Sequence, residues 1–140
     1  MRRSASAALV AALAVAFPAA ASADDQATRL AKARERWAVQ DARDYTFRIR
    51  VTCFCPVRDF VKVRVRDGKP VGTPRRLRAF DTIAELFARV GDELDRGGNP
   101  RASYARRTGA PRRFSADPAP QAVDDEYAIT VRRVRITARG

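Results

Sequence analysis

The sequence predicts an α+β fold in a single domain, an antiparallel sheet with helices packed on one face, in the order α-β-β-β-α-β-β-β. Three observations predict it. Residues 45–55 and 58–66 alternate apolar and polar side chains, the period of a half-buried strand. Residues 26–40 and 82–95 instead place apolar side chains at three- and four-residue steps, the period of an amphipathic helix. The direct strand-to-strand links are short, which suits antiparallel pairing. A chain of 140 residues has length for one core.

The first segment stands outside this pattern. Arg2 and Arg3 precede an apolar run over residues 7–17, Pro18 breaks it, and Ala21-Ser22-Ala23 supplies small residues for cleavage. That is the layout of a secretory signal peptide. The apolar run falls well short of the roughly 20 residues a membrane-spanning helix needs. Residues 1–23 are therefore expected to be cleaved, leaving 24–140 as the domain. The expected location is the periplasm or the exterior of a bacterial cell, with no transmembrane segment after cleavage.

The first helix covers residues 26–40, with Ala27, Leu30, Ala33 and Trp37 on its apolar stripe. In the strand that follows, Tyr45, Phe47, Ile49, Val51, Cys53 and Cys55 share one face. Thr46, Arg48, Arg50, Thr52 and Phe54 share the other. The next strand puts Val61, Val63 and Val65 on one side and Lys62, Arg64 and Arg66 on the other. Asp67-Gly68 then fits a two-residue turn with positive φ, so residues 69–71 return as a short strand, with Pro70 marking an edge.

Residues 73–78 read as a loop. Thr82-Ile83-Ala84-Glu85 reads as a capping box opening the second helix, whose face is Ile83, Leu86, Phe87, Val90 and Leu94. Gly97-Gly98 and Pro100 end it. Residues 102–106 and 112–115 form two short strands around Thr108-Gly109-Ala110-Pro111. The last strand, 127–136, changes apolar phase between Val131 and Val134, which predicts a bulge near Arg132-Arg133.

Composition removes several functions. The chain has no histidine, so it has no His-based catalytic set and no imidazole-ligated zinc. Two cysteines are too few for an all-thiolate zinc site. Asp92, Glu93 and Asp95 at a helix end, and Asp124, Asp125 and Glu126 before the last strand, read as solvated capping or loop charges. The glycines form no phosphate-binding pattern. No enzyme activity, cofactor or metal is expected.

Charge is the leading positive signal. Lys and Arg number 28 against 16 Asp and Glu, a net charge of +12 that becomes +10 once Arg2 and Arg3 leave with the leader. Arg48, Arg50, Lys62, Arg64 and Arg66 alternate outward on the uncovered sheet face, as an exposed antiparallel sheet allows. Such a face repels itself unless acids such as Asp59 or Glu126, or an anionic partner, lie against it. In an exported protein the anions on offer are head groups, wall polymers and acidic proteins. Nucleic acid is not expected, because aromatic residues are not interleaved with the arginines as a stacking platform requires. The expectation is a non-enzymatic binding or structural module engaging an anionic envelope component or acidic protein.

Cys53-Phe54-Cys55-Pro56 is the one unusual motif. Cysteines at i and i+2 of a strand point to one side, with Cα atoms about 6.6 Å apart, near the upper limit for a disulfide. Three readings stay open: a disulfide or packed thiol pair, a redox pair, or a soft-metal pair. A thiol protein acting through Cys53 and Cys55 is the alternative function.

Several stretches together resemble the bacterial exported proteins and lipoproteins grouped as domain of unknown function 6174. They are Trp37, Tyr45-Thr46-Phe47, Cys53-Phe54-Cys55-Pro56, the strand at Val61 to Val65 with Asp67-Gly68-Lys69, and Asp81-Thr82-Ile83-Ala84-Glu85-Leu86-Phe87. Tyr104, Gly109-Ala110-Pro111 and Asp125-Glu126-Tyr127 complete the set. This chain has no lipobox cysteine, and Ala105-Arg106-Arg107 stands where the family tends to be acidic. The resemblance implies the same fold and an exported location, and brings no activity with it.

Overall fold

The structure, a computed structural model, describes residues 22–52, 59–116 and 127–137. Helix α1 (Ala23–Val39) leads into β1 (Tyr45–Thr52), β2 (Val61–Arg66) and β3 (Lys69–Val71). A 3₁₀ segment (Arg75–Phe80) and helix α2 (Ile83–Asp95) follow, then β4 (Arg101–Tyr104), β5 (Pro111–Ala116) and β6 (Tyr127–Ile136). The strands form one antiparallel sheet in the order β3-β2-β1-β6-β5-β4. The fold is α+β, as the alternation and the short links predict.

The alternation of β1 sets the layers. Tyr45, Phe47, Ile49 and Val51 are buried, and Val63, Val65, Phe114, Ile129 and Val131 join them on that face. Leu30 and Ala33 of α1, and Ile83, Leu86, Phe87 and Val90 of α2, cover them. Trp37 closes one end, edge-on to Tyr45 with ring centroids 5.3 Å apart. The stripe of α1 runs through Gln26 rather than Ala27, which is exposed. Gln26 is buried because its side-chain oxygen accepts the Ala102 N–H at 3.4 Å, satisfying a buried backbone donor.

Local signals explain the joints. Asp67 and Gly68 hold φ of 47° and 73°, closing the β2–β3 hairpin. The Asp44 carboxylate accepts the Asp67 N–H at 2.8 Å, tying that turn to the start of β1. The Thr82 hydroxyl caps α2 by accepting the Glu85 N–H at 3.1 Å. Glu85 reaches back one residue further than a capping box requires, to the Asp81 N–H at 3.1 Å. At the other end Gly98 donates to the Glu93 carbonyl at 2.8 Å and Gly97 to Leu94 at 3.0 Å, a Schellman closure.

Two expectations change. Residues 73–78 are not simply a loop, since Arg75–Phe80 winds into a 3₁₀ segment that buries Leu77. A lone leucine among arginines gives no periodic signal for so short a helix. The fourth strand ends at Tyr104 rather than Arg106, because Ala105 turns to bond Ala110 and Gly109.

The expected bulge is present. Pairing between β1 and β6 shifts between Thr46 and Arg48, and Arg133 takes φ of 54°. The bulge keeps Val131 buried and returns Val134 and Ile136 to pack against the core.

Candidate functional site

On the face of the sheet away from the helices, the charged strand residues are all of one sign, with neutral residues such as Thr46, Thr130 and Ser115 between them. Across the six strands there are twelve Lys or Arg side chains and no Asp or Glu. Strand pairing places partners on the same face, so the register locates the charges. Lys62, Arg48 and Arg132 stand directly opposite one another across β2, β1 and β6. Arg64 lies opposite Thr46, which lies opposite Arg135. Arg66 lies opposite Lys69 on the edge hairpin. Beyond β6, Arg113 pairs with Thr130 and Arg101 with Ser115.

The five residues singled out from the sequence are thus brought together on one surface. Arg48, Lys62, Arg64 and Arg66 are exposed on it, and Arg50 is half-buried. Asp59, which precedes Phe60 in the chain, is exposed and forms no ion pair among the described residues. Glu126 lies outside the described residues. The ion pairs Arg43–Asp41, at 3.9 Å, and Arg96–Glu93, at 3.6 Å, do not involve any of the five.

Phe60, which the strand alternation does not single out, lies at the centre of this group. The Arg50 guanidinium lies 4.8 Å and the Arg132 guanidinium 4.7 Å from its ring centroid. Arg48 donates to the Phe60 carbonyl at 3.4 Å. Cation–π contacts of this kind contribute about 0.5–1 kcal/mol each at exposed sites. They stabilise a group of like charges without a carboxylate. The signal was available: Phe60 is two residues before Lys62, and so shares its face. Arg132 was visible only as one residue of the bulge. Its place beside Phe60 depends on β6 pairing with β1, which the chain order alone does not give.

Among the described residues, the buried acids, Asp81 and Glu93, lie on the helical side. Asp81, 3% exposed, precedes α2, and burial together with the adjacent Glu85 carboxyl pushes its pKa up to about 6. The Tyr45 hydroxyl accepts the Ile83 N–H at 3.1 Å, and burial raises its pKa. Glu93 is not a solvated helix-end charge: it is 4% exposed, whereas Asp92 and Asp95 are exposed. It falls one helical turn after Val90, on the buried face, and accepts from the Tyr127 hydroxyl at 3.4 Å. Burial, then the Glu93 charge, pushes Tyr127 up to about 12. Burial likewise pushes Tyr104 up to about 12.

Cys53, Cys55, Asp124 and Asp125 lie outside the described residues, as does the leader up to residue 21. Among the described residues, no group of three or more Cys, Asp or Glu side chains is placed to hold a metal ion. Nor is any helix there long and apolar enough to cross a membrane.

Fold and face together define a class: a small α+β protein whose antiparallel sheet is covered by helices on one side and carries on the other a basic surface that no described helix or strand covers. Within that class, the chain belongs to the family of unknown function DUF6174, whose sequence model matches residues 29–136. No curated protein and no solved structure matches it.

Proposed function

We propose that this protein is an exported binding module, not an enzyme, that holds an anionic component of the cell envelope against the uncovered face of its sheet. The observation that carries the reading is the absence of any acid from the six strands while every strand presents a cation on that face. Like charges directly opposite across a sheet are destabilising. A fold that concentrates them on one surface gives up stability there, and an anionic partner returns it on binding. The bias to arginine adds to this, because the guanidinium fork matches phosphate and carboxylate oxygens two at a time. The leader-like layout of residues 1–23 supports the exported location.

The test is chromatographic. The purified domain is passed over matched supports bearing anionic lipid, an anionic polymer or a neutral surface, and eluted with salt. The reading predicts retention on an anionic support, released as salt screens the contact. Elution from all of them together with the neutral control contradicts it.

A further inference from the structure

We infer that Arg48, Arg50 and Arg132, gathered around Phe60, form a binding site for the phosphate group of a lipid headgroup, at the centre of the basic face. The inference deepens the proposed function and rests on it.

A guanidinium held by a ring keeps donors that pairing with a carboxylate would occupy. Arg50 and Arg132 both lie within 5 Å of the Phe60 ring centre, and neither forms an ion pair among the described residues. The Nε of Arg50 is buried and meets no acceptor among the described residues. A buried donor without a partner is costly, a cost that is removed when the Arg50 side chain turns outward onto an oxyanion. Arg48 is fixed by the Phe60 carbonyl and stands between Lys62 and Arg132 in one cross-strand row. The groups are therefore preorganised, and their mutual repulsion is what an anion relieves.

The shape of the surface selects the source of the phosphate. The site lies on a sheet face about 24 Å wide at the usual strand spacing, with cations on every strand. An open face does not enclose a small ion, so affinity must come from several contacts made together. A linear polyanion needs one track of cations. Here the charges spread in two dimensions, across strands as well as along them, which matches phosphate groups presented side by side by a bilayer. Each cation near such a surface contributes about fivefold in affinity.

The experiment measures binding of the domain to mixed phosphatidylglycerol–phosphatidylcholine vesicles by sedimentation, with folding checked by circular dichroism. Phe60→Leu leaves the charge unchanged and removes the ring that holds the guanidiniums. It is expected to weaken binding by about fivefold. Phe60→Trp, with the better ring for a cation, is expected to bind at least as tightly as the wild type. Arg50→Gln with Arg132→Gln should lose at least about fivefold more than Arg66→Gln with Lys69→Gln, which removes the same charge from the edge hairpin.

Wild-type affinity for Phe60→Leu, or equal losses in the two double variants, overturns the site while leaving a general electrostatic face in place. Should Phe60→Leu fail to fold, the tryptophan variant and the two charge pairs decide the matter alone. Tight binding to soluble polyphosphate, or saturable binding of inorganic phosphate, without vesicle binding overturns the lipid assignment. No preference of the wild type for any anionic over any neutral probe removes the proposed function itself.

Discussion

Replacing Gly109 with alanine is a severe test of how α1 is held to the sheet. Gly109 sits in the turn before β5 with φ of +77°, and a Cβ there overlaps the Ala33 carbonyl oxygen of α1. The same Cβ comes within 2.9 Å of Arg36 Cβ and 3.0 Å of the Trp37 nitrogen. Two costs add. A left-handed backbone costs a non-glycine residue about 1–2 kcal/mol. Forcing a methyl group into helix backbone, which cannot rotate away, adds about 1–3 kcal/mol of overpacking. A loss of ~2–5 kcal/mol is a large part of the stability of a domain this size, and lowers Tm by about 10 °C or more.

Gly72→Ala isolates the first cost, the left-handed backbone, since Gly72 has φ of +66° and open space around it. Thermal melts of the two variants beside the wild type are the assay. Gly109→Ala is expected to lose at least about 1 kcal/mol more than Gly72→Ala. Equal losses refute the packing of this turn against α1 and leave only the backbone term.

Three further outcomes follow from the same geometry. Arg48→Gln removes a charge facing Lys62 and Arg132 and should stabilise the domain by ~0.5–1 kcal/mol in low-salt urea melts, a gain that shrinks as salt is added; a loss at low salt, or a gap that salt does not change, contradicts it. Asp81 has its pKa raised from 3.8 to about 6, so the folded state favours its neutral form, and that stabilisation is present below about pH 4 and lost as pH rises through about 6. Asp81→Asn should therefore gain on the wild type in Tm between those values and keep the gain above them, and a difference independent of pH is the adverse result. For Cys53 and Cys55, the disulfide expectation gives no reactive thiol in the native protein and two after reduction; two reactive thiols at the outset favour the redox or metal reading.

Much of the frame was legible because it rests on local physics. The period of two in β1, the positive-φ dipeptide Asp67-Gly68, the double glycine after α2 and the phase change between Val131 and Val134 each act over a few residues. Each leaves its mark where it acts. What was missed depends on contacts between distant segments. Gln26 is buried for the sake of the Ala102 N–H, and Glu93 lies against Tyr127. Helical spacing puts both on a buried face, four residues before Leu30 and three after Val90, but it does not show the distant partners that let a polar side chain stay there.

The candidate surface divides along the same line. Arg48, Arg50, Lys62, Arg64 and Arg66 came from alternation alone. The joining of Arg50 to Arg132 through Phe60 required knowing that β6 lies beside β1.

The central claim is that the position of the charge, and not its total, makes this protein a binder of anions. The most direct measurement compares two triple variants of equal net charge on anionic vesicles over a salt series. One is Arg48→Gln, Arg64→Gln and Arg132→Gln on the sheet face; the other is Lys32→Gln, Arg76→Gln and Arg107→Gln, exposed positions off the strands. The account predicts that the first loses binding and most of its salt dependence, by about a hundredfold in affinity, while the second stays within a few-fold of the wild type. Equal losses in the two variants contradict it.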